Sequence, residues 1–268
     1  MKNKCVICTY VYKQELSKTE HLSLLRLIDF CYKNNILDKL LINIPKSFDF
    51  NLFFNTYISK FFKDNNINSY INYIKYDDIC FSSINAYNNM LLLSKNYYGD
   101  FCNDYDYMLI YQLDGYIFDN QLEYFLNKNY DFIGGYYLPL YTEFNKYNSY
   151  ENIEEKHLLM NGGVSLKNIK FCIDCISNYY NDYLKGCEFN NIHKYINEDT
   201  FFSMFYTIEV NAIDAIKFSL NWAGAETHYA INNFEYPFCC HGIDKNKFLM
   251  KLVEKYNKEN NLNYSKYI

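Results

Sequence analysis

Prolines number three, glycines nine and tryptophans one in this chain of 268 residues, and nowhere do lysine and arginine gather into a cluster. The scarcity of proline removes any Pro-rich linker, and no internal repeat or low-complexity tail divides the chain, so one continuous domain is the economical reading. Without a basic patch, and with a net charge of −5, the chain is not built to neutralise nucleic-acid phosphates. It also lacks an apolar run long enough to span a membrane. The run Cys5-Val6-Ile7-Cys8-Thr9-Tyr10-Val11-Tyr12 is too short and too β-branched for that and has no small-residue cleavage site, so it reads as a buried strand. No transmembrane segment is expected, and peripheral membrane association is left open. With no export signal the expected location is the cytoplasm, where the ten cysteines stay reduced.

Two of the cysteine spacings still raise zinc, because Cys5/Cys8 and Cys172/Cys175 form C-x-x-C pairs. Cys5 and Cys8 lie in a predicted strand, where residues three apart point to opposite faces. Cys172 and Cys175 sit on a predicted helix beside Phe171, Ile176 and Tyr179, in what reads as a core stripe. Packing is the preferred reading for all four, since free cysteine is among the most buried residue types.

What the chain does have is core-forming material: half its residues are hydrophobic and 20% are aromatic, including 31 tyrosines. Tyrosine at that density says little about ligand stacking at any one position. Through the first half, strands near 4–12, 39–44, 70–76 and 107–112 alternate with helical patterns near 21–28, 52–65 and 84–98. That alternation predicts βαβ units. The second half is less regular, with short strands near 130–134 and 163–166 and helices near 169–184 and 198–206. The predicted class is α/β, a Rossmann-like, mainly parallel central sheet with flanking helices. Such sheets take ligands outside the carboxyl ends of their strands.

The strand over 107–112 ends in Leu113-Asp114-Gly115, which places a carboxylate at that ligand edge. A nucleotide diphosphate carries charge that Mn2+ or Mg2+ can offset, and these hard cations take carboxylate oxygen with room left for phosphate and water. Gly115 would let a ligand approach the backbone. Asp-Gly is equally a common turn dipeptide, so a plain turn stays open at this point.

Ordered segments along most of the chain carry a family likeness. They are Tyr12-Lys13-Gln14-Glu15-Leu16-Ser17 with Glu20 and Ser23-Leu24, Tyr87-Asn88-Asn89-Met90-Leu91 with Ser94, and Ile110-Tyr111-Gln112-Leu113-Asp114. After these come Tyr130-Asp131-Phe132-Ile133-Gly134, Asn161-Gly162-Gly163-Val164-Ser165-Leu166, Asn197-Glu198-Asp199 and Pro237-Phe238-Cys239-Cys240-His241. Through them the chain resembles a bacterial family of uncharacterised glycosyltransferases of the GT-A type. The resemblance implies a GT-A-like fold and transfer of a sugar from a nucleotide-sugar donor, expected to be a UDP-sugar, to a glycan or lipid-linked acceptor in polysaccharide biosynthesis. Residues 1–115 would form the nucleotide-binding half and residues 116–268 the acceptor-binding half. Two departures stand out. Gln112-Leu113-Asp114 keeps only the last acid of the usual Asp-x-Asp, and Gly135-Tyr136-Tyr137 replaces an expected Ala-Pro-Trp.

The same resemblance assigns roles. His241 would join Asp114 as a metal ligand, with a His satisfied by backbone as the alternative. Asn197-Glu198-Asp199 is similar to the x-Glu-Asp motif of inverting enzymes, making Asp199 the general base and Glu198 its substitute. A capped helix start, with Asn197 as the cap, is equally open and compatible. Asn161, Gly162 and Gly163 would lie beside the sugar or acceptor, unless they form an ordinary turn before the strand. Donor contacts would come from Tyr10, Tyr12 and Lys13 after the first strand, from Tyr87, Asn88 and Ser94 on the preceding helix, and from Gln112. A nucleotidyltransferase is the rival enzyme, but residues 11–19 offer it no glycine and no arginine. A catalytically silent glycan- or protein-binding relative is the rival outside enzymology.

Overall fold

A computed structural model describes residues 3–93, 95–137, 158–189 and 197–268. Strands β1 (Cys5–Tyr10), β2 (Leu40–Pro45), β3 (Asn72–Tyr76) and β4 (Tyr107–Tyr111) are laid side by side in parallel. Continuous burial along β1, β2 and β4 explains why these segments are unbroken apolar runs rather than alternating ones. After β4 come β5 (Gly115–Ile117), β6 (Phe132–Tyr136) and β7 (Met160–Asn168). β6 and β7 complete a six-stranded sheet in the order β3-β2-β1-β4-β7-β6, with β7 antiparallel to both neighbours. β5 instead joins β8 (Ser219–Asn221) and β9 (Cys239–His241) in a small sheet ordered β5-β9-β8.

Helices pack around the sheets. Lys18–Lys33 begins with a capping box, Ser17 and Glu20 each bonding the other's backbone N–H. The single helix predicted over 52–65 is two, Phe50–Tyr57 and Ser59–Asp64, because the buried Ile58 between them leaves helical geometry at φ −120°. The helix predicted over 84–98 is described as helical over Ile84–Leu93 and Lys95–Gly99, and Ser94 between them lies outside the described residues. Four helices not predicted from the sequence are Leu122–Asn127, Ala212–Phe218, Ala225–Ile231 and Lys247–Glu259.

The chain's single arginine ties the helix Lys18–Lys33 to the end of β5 in the small sheet. Arg26 is buried; its Nε donates to the Ile117 carbonyl at 2.6 Å and its Nη2 to that of Phe118 at 2.7 Å. The rings of Tyr116 and Tyr256, edge-to-face with each other, lie 5.9 and 5.6 Å from its guanidinium carbon. The four C-x-x-C cysteines are all buried, and burial pushes the Cys5 and Cys8 thiols up to about 12. Among the described residues no helix is long and apolar enough to cross a membrane.

Candidate active site

Beyond β4 the chain reverses through Gln112 to Gly115, closed by the Gly115 N–H on the Gln112 carbonyl at 2.9 Å. The turn and the site are therefore one feature. Pairing of β5 with β9 sets Gly115 opposite His241, and the Asp114 carbonyl accepts from the Gly242 and Ile243 amides at 2.9 and 3.0 Å. Gly115 does not open the backbone to a ligand, since a Cβ there would meet Val164 Cγ2 at 2.6 Å. It is small because β7 packs against it.

The Asp114 carboxylate is 18% exposed, with Oδ1 3.0 Å from His241 Nε2 and Oδ2 accepting from Lys245 Nζ at 2.9 Å. Burial alone would raise its pKa, but hydrogen bonding and charge from His241, then Lys245, hold it well below the usual carboxylate range. Gln112 Oε1 lies 3.3 Å from the same Nε2. Asp114 Oδ1 is buried and faces that same Nε2. A carboxylate oxygen, an amide oxygen and an imidazole nitrogen thus converge, which is a donor set suited to Mn2+ or Mg2+ with part of the shell left open. Among the described residues no three of His, Cys, Asp and Glu come together as ligands, so an ion held here would need Gln112, phosphate oxygen or water to complete its shell.

Asn161, Gly162 and Gly163 form the beginning of β7 itself, not a turn before it. Because β7 is antiparallel to β4, with Val164 opposite Tyr111, the two glycines arrive beside Gln112, whose N–H meets the Gly163 carbonyl at 2.8 Å. A Cβ at Gly163 would stand 2.1 Å from His241 Nε2, and one at Gly162 would stand 2.2 Å from Glu198 Oε1. The missing side chains let the Asp114 cluster and the Glu198-Asp199 pair approach the same strand.

Glu198 is buried and faces Lys167, itself 0% exposed, at 2.9 Å. Lys167 Nζ also donates to Ser165 Oγ at 3.0 Å and lies over the Phe132 and Phe202 rings. Asp199 is less enclosed; its Oδ2 accepts from the Gly162 amide at 3.1 Å and its Oδ1 from the Thr200 amide at 2.7 Å. Burial pushes the Asp199 carboxyl upward against those amides, and pushes Glu198 upward against Lys167. Asn197 holds the cap position of the helix Glu198–Phe205 without a side-chain cap bond; its Oδ1 accepts from Asn88 Nδ2 at 3.1 Å instead.

The expected donor contacts separate into inner and outer groups. Tyr87 is buried with its hydroxyl near Gln112, while Asn88 holds Asn197, so both touch the site's inner wall. Tyr10 is buried, its ring edge-on to Tyr87 and its hydroxyl bonded to that of Tyr97. Tyr12 is 58% exposed with Lys13 over its ring at 5.7 Å, and Lys13 pairs with Glu20 at 2.8 Å. Asn161 donates from Nδ2 to the Tyr137 hydroxyl at 2.7 Å and accepts the Gly163 amide on Oδ1 at 2.8 Å. Sequence reasoning missed Lys245, Lys167, Tyr137 and Asn221. A lysine inside the apolar run Val164-Ser165-Leu166-Lys167 was the one available signal, since a strand interior accepts such a charge only with a partner. A depression of about 300 Å3 bordered by Ser47, Asp49, Phe50 and Tyr73 shares no residue with these clusters.

A family model described as a protein of unknown function, DUF5672, matches residues 70–241, more than half of the chain. The chain belongs to the DUF5672 family. The matched span of this DUF5672 protein runs from before β3 to His241 and so takes in Asp114, both glycines and the Glu198-Asp199 pair. No curated protein matches it. Among solved structures it is similar to the galactosyltransferase LgtC in complex with donor and acceptor sugar analogs, at 12% identity and a TM-score of 0.54, covering 88% of this chain and 86% of that one. An active-site variant of LgtC overlaps at 13% identity and 0.51, with the same coverage. Mouse xyloside xylosyltransferase 1 in its apo form gives 12% and 0.45, covering 88% and 96%. The DUF5672 protein therefore has a GT-A-type fold, a mixed α/β architecture whose central sheet is mostly parallel.

Proposed function

We propose that this protein is a glycosyltransferase that uses a nucleotide-sugar donor, with a UDP-sugar as the expected class and a glycan or lipid-linked sugar as acceptor. The observation that carries the reading is the meeting of Asp114, Gln112 and His241 on one side of Gly162-Gly163 with Asp199 on the other. Asp114 Oδ1, His241 Nε2 and Gln112 Oε1 would hold Mn2+ or Mg2+. When bound, the ion offsets the charge of the departing nucleoside diphosphate. Lys245, already beside Asp114, adds a cation that can meet a phosphate oxygen. Residues 1–115 supply the nucleotide side, with Tyr12 and Lys13 at its rim, and residues 116–268 supply the acceptor side.

Asp199 serves as the base that takes the proton of the acceptor hydroxyl as the bond to the sugar forms, which corresponds to inversion. Its raised pKa makes it a stronger base than an ordinary aspartate. Glu198 is held by Lys167 and serves to fix the helix start. Asn161 and Tyr137 flank the acceptor.

The test is hydrolysis or transfer of a UDP-sugar, measured with Mn2+ and with chelator, for the wild-type protein and Asp114→Asn. Metal-dependent turnover that disappears in the variant supports the assignment; turnover equal in both removes it. A second reading keeps the chemistry without the ion, because Lys245 already balances Asp114. Full activity in chelator that is lost in Lys245→Met would select it.

A further inference from the structure

Trp222 is the chain's single tryptophan and remains 41% exposed. Its backbone is held at both ends, the N–H by the His241 carbonyl at 3.0 Å and the C=O by Asn246 Nδ2 at 2.7 Å. Gly242 adopts φ +81°, and a Cβ there would fall 2.7 Å from the indole Cδ1. The ring therefore rests on a bare backbone one residue from His241, and the Gly242 N–H in turn bonds the Asp114 carbonyl at 2.9 Å. The indole is thus seated on the backbone beside the candidate site with part of its surface open to water.

The residue before it supplies an independent observation. Asn221 is fully buried in β8, opposite His241. Its side chain and that of Asn161 both hydrogen-bond the Tyr137 hydroxyl, which gathers two amides and a phenol into one polar group. An apolar ring face next to an edge of amides and a phenol matches one chemical class closely. A pyranose has a face of C–H bonds and a rim of hydroxyls.

We infer that Trp222, with Asn221 and Tyr137 at its edge, forms an acceptor subsite that stacks a pyranose ring beside the Asp114–His241 pair. This rests on the glycosyltransferase reading and names the chemistry of its acceptor. Trp222 lies in the 116–268 half, away from the strand ends of β1 to β3, and so it is assigned to the acceptor and not to the nucleotide.

Because no other tryptophan is present, intrinsic fluorescence reports on this ring alone. The wild-type protein, held with UDP and Mn2+, is titrated with the methyl pyranosides of glucose, galactose, mannose and N-acetylglucosamine, with sorbitol as an open-chain control. A saturable quench or blue shift with at least one pyranoside and none with sorbitol is expected. Calorimetry with the same pyranoside should show Trp222→Ala losing about tenfold or more in affinity, Trp222→Phe keeping most of it, and UDP binding unchanged in both. The inference is overturned if no pyranoside alters the emission, if UDP alone produces the whole response, or if Trp222→Ala binds as the wild type does. Failure of the transferase reading would show separately, as absence of UDP binding and of donor turnover.

Discussion

The two carboxylate clusters flanking Gly162-Gly163 are opposites. On one side Asp114 is partly open and surrounded by a histidine and a lysine, which hold its pKa down. On the other side Glu198 and Asp199 are more enclosed, and burial pushes both upward. One strand of two bare residues thus separates a carboxylate kept ionised, as a cation ligand must be, from one that retains affinity for a proton, as a base must. The difference arises from neighbours and burial, not from residue type.

The largest effect that would break this contrast is expected at Asp199. Asp199→Asn should lower turnover by about 10^2 to 10^4-fold, the range for a lost general base, with donor affinity by calorimetry unchanged. Equal loss of both would make the residue structural. Next comes Lys167→Met, which leaves the Glu198 charge buried and unpaired. A loss of about 3–5 kcal/mol in denaturant unfolding is expected, and the double variant with Glu198→Leu should recover most of it.

The clusters were unequally legible in the sequence. Asp114 stands at the end of an apolar strand, and β1, β2 and β4 declare themselves because strands buried on both faces are continuous apolar runs. β5, β8 and β9 have three residues each, too few for any periodicity to show, yet β9 delivers His241. Lys167 and Glu198 are 31 positions apart, and only the turn of β7 into the sheet brings them together. The sequence places the glycines beside the sugar or acceptor, and the described contacts add that His241 and Glu198 approach their bare faces. A bare backbone looks alike in a sequence whatever approaches it.

Two finer tests sharpen the comparison. Gly163→Ala should displace His241 and weaken Mn2+ binding by about 10-fold or more, whereas Gly162→Ala presses on Glu198 and should act mainly on stability. Equal effects on metal affinity would show that the strand does not separate the clusters. The smallest effect is in pH. If Asp199 is the base as proposed, its deprotonated form is the active one, and because its pKa is raised activity should increase with pH along an acid limb lying above the ordinary aspartate value of about 3.9. A limb at or below that value would mean another group titrates.

The ligands that converge on Asp114 arrive late along the chain. His241 and Lys245 follow Gln112 and Asp114 by 129 and 131 positions. During synthesis, then, a ribosome-bound chain displaying the entire parallel sheet would still leave Asp114 without His241 and Lys245, which reach it only as the later stretch emerges and docks.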